Sequence, residues 1–353
     1  MNSPASRRVR TIAWGAIPVV LTGALVSLDH IPGTDVSLTV PYADEGPGPT
    51  VDTLGEVDGT QVVDVQAPNT YDTDGHLNMT TVSQMDGLTL GQALIFWASG
   101  RDQLIPRELV YPPDKSREEI DEANTTDFRN SEDSAEYAAL SYLKYPMAIT
   151  VQSIDEKGPS KGKLQAGDAI DAVNNTPVAN LDEFSKIIQA TKPGEKVVVD
   201  YRRKNEPAGI AEVTLGSRPD RPHGVLGVNV LDAPWAPFSI DFHLANIGGP
   251  SAGLMFSLAV VDKLTTGDLN DGKFVAGTGT ITGDGEVGPI GGITHKITAA
   301  KDAGASVFLV PADNCDEATS ADEKGIELIK VDTLTHAIDG LRTLSAGGEP
   351  PRC

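Results

Sequence analysis

A serine that follows two glycines and a proline is the first feature of this sequence that could perform chemistry. The stretch IGGPSAGLMFSLAVVDKL covers residues 247–264 and places Ser251 before an almost unbroken apolar segment. Gly248 and Gly249 can adopt backbone torsions closed to other residues, and Pro250 suits the start of a helix. The free amides of that first turn could stabilise an oxyanion beside Ser251. The same serine could equally be a helix cap, and this stretch alone does not separate the two interpretations.

A nucleophilic serine needs a base, and Lys296 is the candidate. No histidine comes with an acidic partner in a recognisable pattern, whereas Lys296 stands near the start of a predicted helix that runs to Gly304. Ile290, Ile293 and Ile297 would desolvate the ammonium group, and the helix N-terminus adds a positive potential. Both effects lower the pKa of a lysine, and a neutral lysine can serve as general base. The alternative is an ordinary solvated surface lysine.

Three motifs together resemble the proteolytic domain of Lon proteases, from about residue 222 to residue 345. They are GGPSAG (248–253), VAGTGTITGDGEVGPIGG (275–292) and THKITAA (294–300), with a separation of 45 residues between the serine and the lysine. The resemblance implies that Ser251 is the nucleophile, Lys296 the general base and Thr278 the threonine that hydrogen-bonds and orients the lysine. It also implies a two-layer α/β domain and a homo-oligomer, usually a hexameric ring in that family.

Two glycine-rich strings look like phosphate-binding loops but lack the rest of such a site. GDGEVG (283–288) contains two acidic residues and is followed by PIGG instead of a helix. GPSKGKL (158–164) lacks the spacing and the magnesium-binding serine or threonine of a P-loop. The sequence therefore predicts neither an ATPase motor nor a cofactor. The histidines are scattered singly and no zinc-site spacing occurs, so we expect no metal.

The elements that must position these residues alternate between strand and helix after residue 222. VFLV (307–310) and IELIKV (326–331) are predicted strands and TLTHAIDGLRTL (333–344) is a closing helix, a pattern typical of α/β domains. Residues 40–145 are predicted to be β-rich, with strand candidates at Gln61–Val65 and Leu77–Val82, and their role stays open. The acidic run at 114–136 predicts a solvated loop followed by a helix from about Ser131.

Residues 146–218 have the pattern of a small separate domain. The strand MAITVQSI leads through a Gly167-Asp168 turn and an Asn174-Asn175 turn to the helix LDEFSKIIQA and two more strands. This stretch resembles a PDZ domain of the bacterial protease type, which implies that an extended peptide pairs with a strand edge beside the helix. The sequence does not place the carboxylate-binding loop, and a domain that acts only as a spacer is the alternative. GSRPDRPHG (216–224) has the composition of a linker.

An uncharged segment, TIAWGAIPVVLTGALVSL at residues 11–28, follows Arg7, Arg8 and Arg10. Its length lies at the short end for crossing a bilayer, and the basic flank predicts a cytoplasmic N-terminus at residues 1–10. We therefore predict a transmembrane anchor and a single-pass cell-membrane protein whose bulk is extracytoplasmic. The alternative is a cleaved signal peptide with a small-residue site after Ala24.

The net charge and the cysteine content limit which binding partners and which disulfide bonds we expect. The net charge of −22, from 50 acidic and 28 basic residues, disfavours binding to nucleic acid. The two cysteines, Cys315 and Cys353, are too few for a disulfide scaffold. They can form one bridge in an oxidising compartment, which would pin the C-terminal tail at residues 346–353.

These motifs predict an ATP-independent serine endopeptidase that cleaves unfolded or exposed protein segments outside the cytoplasmic membrane. Its catalytic residues would be Ser251, Lys296 and Thr278. The predicted fold class is α/β, with an N-terminal transmembrane helix (11–28), a β-rich region (40–145), a PDZ domain (146–218) and a two-layer α/β proteolytic domain (222–345). This architecture resembles the membrane-anchored, PDZ-containing Lon-like proteins of bacteria, which lack the AAA+ module. The alternative function is a PDZ-based binding or scaffold protein with an idle protease-like domain.

Overall fold

The computed structural model describes residues 14–20, 22–23, 26–245, 247–321 and 324–353. A membrane span needs about 20 consecutive apolar residues in a helix. Across these described ranges, no helix reaches the length and apolar character that crossing a membrane requires. The transmembrane anchor predicted at residues 11–28, and the single-pass placement that rested on it, are therefore wrong. The cytoplasmic N-terminus predicted at residues 1–10 lies outside the described residues.

A six-stranded mixed sheet forms the centre of the larger unit. Its strands are β1 (Tyr42–Asp52), β5 (His76–Met85), β6 (Gln103–Pro106), β16 (Phe274–Gly277), β19 (Val307–Pro311) and β20 (Glu327–Val331). The spatial order is β20-β19-β16-β5-β1-β6, parallel from β20 to β5 and antiparallel from β5 to β6. The N-terminal region thus supplies half of the sheet whose other half comes from the C-terminal part of the chain.

Short two-stranded pairs connect these elements. They are β2 (Glu56–Val57) with β3 (Thr60–Gln61), β4 (Val63–Val65) with β15 (Ile240–Phe242), β12 (Gly216–Arg218) with β13 (Arg221–Val225), and β17 (Thr280–Ile281) with β18 (Val287–Gly288). The predicted strand at Gln61–Val65 is divided between β3 and β4, and Leu77–Val82 lies within β5. The stretch at 216–224, which has the composition of a linker, forms most of the β12–β13 hairpin.

The main helices fall between these strands. They are α1 (Leu90–Ser99), α2 (Arg107–Val110), α3 (Arg117–Tyr142), α4 (Leu181–Gln189), α5 (Gly253–Leu264), α6 (Ile293–Ala303), α7 (Cys315–Ala318) and α8 (Leu334–Ser345). Helix α3 begins well before the predicted start near Ser131. Ser116 and Glu119 form a reciprocal capping box, and the acidic first turn complements the helix dipole, so the acidic run is helical from its beginning.

Helices cover both faces of the six-stranded sheet. On one face Val275, Leu309 and Ile329 pack in a core with residues of α3, α5 and α8. On the other face Ala276 and Phe308 pack with residues of α6 and α7. The continuous apolar run of β19 reflects this burial on both sides, as is usual for parallel strands. The predicted two-layer arrangement is therefore wrong, and the larger unit has three layers.

The second unit is a separate sheet with its own core. Its strands are β7 (Met147–Ile154), β8 (Ala169–Val173), β9 (Thr176–Pro177), β10 (Lys196–Arg202), β11 (Gly209–Thr214) and β14 (Val228–Pro234). The order is β11-β10-β8-β7-β14, with β9 paired to β8, and α4 packs its buried Phe184 and Ile188 against this core. Strand β14 follows the β12–β13 hairpin and forms one edge of the sheet.

Two polar contacts and one covalent bond fix the relative positions of distant segments. Lys204, after β10, donates to the Glu136 carboxylate of α3 at 2.5 Å, and the Trp235 indole donates to the Gly167 carbonyl at 2.9 Å. Cys315 and Cys353 form a disulfide bond, with their Cα atoms 5.0 Å apart. The bond ties the C-terminal tail to the start of α7.

Candidate active site

Ser251 lies in a turn between a glycine-rich loop and α5. Gly249 has a φ of +85°, a left-handed conformation that residues with a Cβ rarely adopt. Helix α5 begins at Gly253, so Ser251 stands just before the helix and not in its first turn. The helix behind it is buried from Gly253 to Asp262. The apolar segment therefore acts as a fixed support that presents the serine at its N-terminal end.

The loop after β16 holds the backbone of Ser251 in place. The Ser251 carbonyl accepts two hydrogen bonds, from the Gly279 amide at 3.0 Å and from the Thr278 hydroxyl at 3.1 Å. The Leu254 amide in turn donates to the Gly279 carbonyl at 3.2 Å. Thr278 is fully buried, so its hydroxyl geometry is set by these protein partners.

Lys296 brings its amine to the serine hydroxyl from α6. Lys296 Nζ lies 2.8 Å from Ser251 Oγ and 2.9 Å from Thr278 Oγ1. The lysine side chain reaches them from the first turn of α6, and the residue is only 3% exposed. These two hydroxyls are its side-chain hydrogen-bond partners within the described residues. The structure thus brings together the three residues predicted from the motifs.

Burial changes the acid–base chemistry of Lys296. Desolvation lowers the pKa of the Lys296 ammonium to about 8, while the negative charge of Glu45 opposes this shift. Ile293 and Ile297, on the same helix, are fully buried as well. A neutral amine has one lone pair, so it can donate to Thr278 and accept the Ser251 hydroxyl proton at the same time.

Helix α3 supports the serine loop from the other side. The Asn124 carbonyl accepts the Gly249 amide at 3.0 Å, and the Ser131 hydroxyl donates to the Pro250 carbonyl at 3.1 Å. The sequence pattern marked Ser131 only as the start of a predicted helix and did not mark Asn124, because both stand in an acidic run that is typical of a solvated face. A complete three-dimensional arrangement was needed to show their role.

Asn314 fixes the loop that leads into α6. Its side chain donates to the Ile290 carbonyl and accepts the Ile290 amide, both at 2.9 Å. Asn314 is 5% exposed, so these two bonds satisfy polar groups that have little access to water. The clamp sets the position of the PIGG segment, and therefore of Lys296, relative to the sheet.

The turn at Ser251 also offers backbone donors. Within the described part of the chain, the amides of Ser251 and Ala252 make no backbone hydrogen bond to another residue. They stand at the N-terminal end of α5, where the helix dipole adds positive potential. Such amides can stabilise negative charge that develops on an oxygen next to the serine.

A cleft of about 830 Å³ opens onto Ser251 and Lys296. Its walls mix polar and apolar groups, and the apolar ones include Met79, Val82, Phe128, Ile247 and Ile290. Glu45 and Lys296 are the two ionisable side chains among the described lining residues. The same described ranges contain no cluster of histidine, cysteine and carboxylate side chains placed to hold a metal ion. The cleft is therefore of a size and character that suit a peptide segment.

A second groove lies between α4 and the edge strand β14. It has a volume of about 510 Å³ and is lined by the hairpin at Arg218–Val225, the loop at Leu226 and Gly227, and α4 residues that include Ser185 and Ile188. Because β14 is an edge strand, its outer backbone groups can pair with an added strand. The resemblance to a PDZ domain implied a strand edge beside this helix that pairs with an extended peptide, and peptide binding at β14 stays a prediction.

Comparison with known proteins gives the same two assignments. Residues 125–212 match the PDZ domain model, and residues 245–342 match the model of the Lon protease (S16) C-terminal proteolytic domain. The predicted resemblance to Lon-type proteases with a PDZ domain is thus confirmed. The two matches cover separate stretches of the chain.

Individual relatives are Lon proteases. An archaeal Lon protease from Halobacterium salinarum is 33% identical over 108 residues, which is 30% of this chain and 14% of the relative. Lon protease 2 from Bacillus subtilis is 34% identical over 108 residues, 29% of this chain and 19% of the relative. Lon protease 2 from Sorangium cellulosum is 32% identical over 175 residues, 47% of this chain and 20% of the relative. This chain therefore spans a fifth or less of the length of each.

Proposed function

We propose that this protein is a serine endopeptidase in which Ser251 is the nucleophile and Lys296 the general base. The observation that carries the proposal is the 2.8 Å contact between Lys296 Nζ and Ser251 Oγ, made by a lysine that is 3% exposed. A surface lysine would be solvated and charged, whereas burial lowers the pKa of Lys296 to about 8. About a tenth of Lys296 is therefore neutral at pH 7 and about half at pH 8.

Acylation begins when neutral Lys296 takes the Ser251 hydroxyl proton. The serine oxygen attacks the peptide carbonyl carbon, and the carbonyl oxygen becomes negatively charged in the tetrahedral intermediate. The free amides of Ser251 and Ala252 stabilise that oxygen. Collapse of the intermediate breaks the C–N bond, and the Lys296 ammonium returns its proton to the leaving amine.

Deacylation repeats the same steps with water. Neutral Lys296 takes a proton from a water molecule, whose oxygen attacks the acyl-serine carbonyl. The second tetrahedral intermediate collapses, the carboxylic acid product leaves, and Ser251 recovers its proton from Lys296. Thr278 acts as a positioning residue, because it accepts one amine hydrogen and so directs the lone pair towards the serine.

The shape of the molecule favours protein segments as substrates. The catalytic cleft and the β14 groove are both large enough for extended peptides, and the sequence contains no P-loop that would supply a motor. We therefore propose ATP-independent cleavage of unfolded or exposed segments, which the β14 groove helps to recruit by strand addition. Assembly of several copies, implied by the resemblance to Lon, belongs to the same proposal.

Labelling with an active-site-directed serine reagent tests this function. The wild-type protein should become covalently labelled at Ser251, and the Ser251→Ala variant should not. Ser257→Ala is a matched control, because Ser257 lies in the helix that follows Ser251 and its hydroxyl donates to the Leu254 carbonyl. Absence of labelling and of peptide cleavage in folded wild-type protein would instead favour the scaffold function with an idle protease-like domain.

A further inference from the structure

The charge of the catalytic cleft changes when Lys296 becomes neutral. Glu45 and Lys296 are the two ionisable side chains among the described residues that line it. In the proposed mechanism Lys296 is uncharged when it takes the serine proton. Glu45 is then left as the one charged side chain among the described lining residues of the cleft.

Glu45 is held firmly in this position. It is half-buried on β1, and its Oε2 accepts a hydrogen bond from Gln84 Nε2 on β5 at 2.8 Å. Its Oε1 lies against Gly292, where an added Cβ would approach it to 2.9 Å. Gly292 also has a φ of +67°, so two independent constraints keep this position free of a side chain. The carboxylate therefore occupies a defined place beside the N-terminus of α6.

When Lys296 is neutral, no cationic side chain among the described residues that line the cleft is left to balance this carboxylate. The bond from Gln84 is the side-chain hydrogen bond that Glu45 makes within the described residues, and no lysine or arginine there forms an ion pair with it. A half-buried carboxylate that faces a cleft can still accept strong, charge-assisted hydrogen bonds. A cationic group on the substrate could donate such hydrogen bonds to the Glu45 carboxylate.

We propose that Glu45 is a specificity-determining residue that selects peptides with a lysine or arginine side chain close to the scissile bond. The inference rests on the proposed peptidase function of Ser251 and Lys296. The aliphatic stem of such a side chain would pack against Val82 and Ile290, and its charged end would reach the carboxylate. The net charge of −22 would favour the approach of a basic peptide as well.

This assignment is tested by removing the charge without changing the shape, first in the substrate (arginine to citrulline) and then in the enzyme (Glu45→Gln). Casein, unfolded by reduction and alkylation, is digested with the full chain, and mass spectrometry of the products maps the cleaved bonds. Short fluorogenic peptides around a cleaved bond are then made in pairs that differ by arginine against citrulline, which has the same shape without the charge. The ratio of kcat/KM within each pair is measured for wild type, Glu45→Gln, Glu45→Asp and the control Glu317→Gln.

For wild type and Glu317→Gln we expect kcat/KM for the arginine peptide to exceed that for the citrulline peptide by about tenfold, the scale of one hydrogen bond between charged groups. Glu45→Gln should bring the ratio to near one, and Glu45→Asp should keep part of the preference. If Glu45 had a purely structural role at the α6 N-terminus, Glu45→Gln would lower kcat/KM for both peptides equally and leave their ratio unchanged.

Three results would overturn the inference. Ser251-dependent cleavage without a basic preference, or a preference that persists in folded Glu45→Gln, would reject the role of Glu45 while the peptidase function stands. No cleavage of casein by folded wild-type protein would reject the peptidase function, and the inference with it.

Discussion

The catalytic cleft and the β14 groove are built in opposite ways. The cleft takes its lining from segments as far apart as Glu45 and Lys296, on β1, β5, α3, α6 and the loops before α5 and α6. The β14 groove takes its lining from residues 153–230, within one small domain. Reaction chemistry needs a few side-chain atoms at fixed distances, whereas strand addition uses backbone groups that any strand supplies.

This contrast predicts different sensitivities to substitution. In the cleft, a single changed atom at Ser251 or Lys296 should remove the reaction, because the proposed mechanism gives each a distinct role. In the groove, most side-chain changes should alter affinity modestly, since the backbone edge of β14 stays in place. The following predictions test this difference from the largest expected effect to the smallest.

Lys296→Arg should abolish peptidase activity as completely as Ser251→Ala, by about four orders of magnitude or more. The guanidinium group keeps the positive charge but does not lose its proton in the accessible pH range. Turnover of a fluorogenic peptide measures the effect, with circular dichroism to show that the fold survives. Substantial activity in a folded Lys296→Arg enzyme would exclude the lysine as base.

Loss of the Cys315–Cys353 bridge should lower the free energy of unfolding of the larger unit by about 4 kcal/mol, from the chain entropy of a loop with a separation of 38 residues. The β14 groove should be unaffected, because the bridge lies outside that domain. Urea unfolding of the oxidised and reduced protein measures the change. The free energy of unfolding of a Cys315→Ser/Cys353→Ser double variant should not change when reductant is added. If reductant lowered it as much as it lowers that of the wild type, the loss would have a cause other than the bridge.

Peptidase activity should rise with pH because the neutral form of Lys296 is the active one. With burial lowering the pKa of Lys296 to about 8, kcat/KM should increase about tenfold per pH unit below that value and level off above it. Binding in the β14 groove should show no such dependence on Lys296. A rate profile that is flat or falling between pH 6 and 8 would contradict a neutral-lysine mechanism.

Thr278→Ala should reduce kcat by tenfold to a hundredfold, on the order of the loss of one orienting contact in general-base catalysis. The variant removes the hydroxyl that accepts a hydrogen bond from the Lys296 amine and donates one to the Ser251 carbonyl. Thr278→Ser keeps the hydroxyl and should restore most of the activity. If Thr278→Ser were as slow as Thr278→Ala, packing of the methyl group and not the hydroxyl would explain the loss.

Ser185→Trp should fill the β14 groove and raise KM for an unfolded protein about tenfold, the scale of one lost peptide contact. Short peptides that reach the cleft directly should be cleaved at the wild-type rate. Lys186→Trp is a matched control, because Lys186 is exposed on the same helix and does not line the groove. Equal effects of the two variants would argue against recruitment through this groove.

The amino-acid sequence by itself indicated the candidate residues of the site and the type of most elements near it. GGPSAG, the GTGT segment and THKITAA indicate Ser251, Thr278 and Lys296 through local motifs. Helix α4 follows from apolar periodicity and strand β19 from a short continuous apolar run, and both patterns are short-range properties of the chain. The same reasoning failed for the start of α3, where a capping box and an acidic first turn favour helix in a segment that looked like a solvated loop.

Only the tertiary structure decided which distant segments complete the site. The placement of β1 and β5 beside β16, the support from Asn124 and Ser131, and the clamp of Asn314 on Ile290 all depend on long-range packing. It also decided that helices cover both faces of the sheet. Polar residues such as Glu45 carry no local signal, because their proposed role arises when folding brings them to a cleft beside residues far along the chain. Burial there, and not residue type, gives Lys296 the lowered pKa that its proposed role requires.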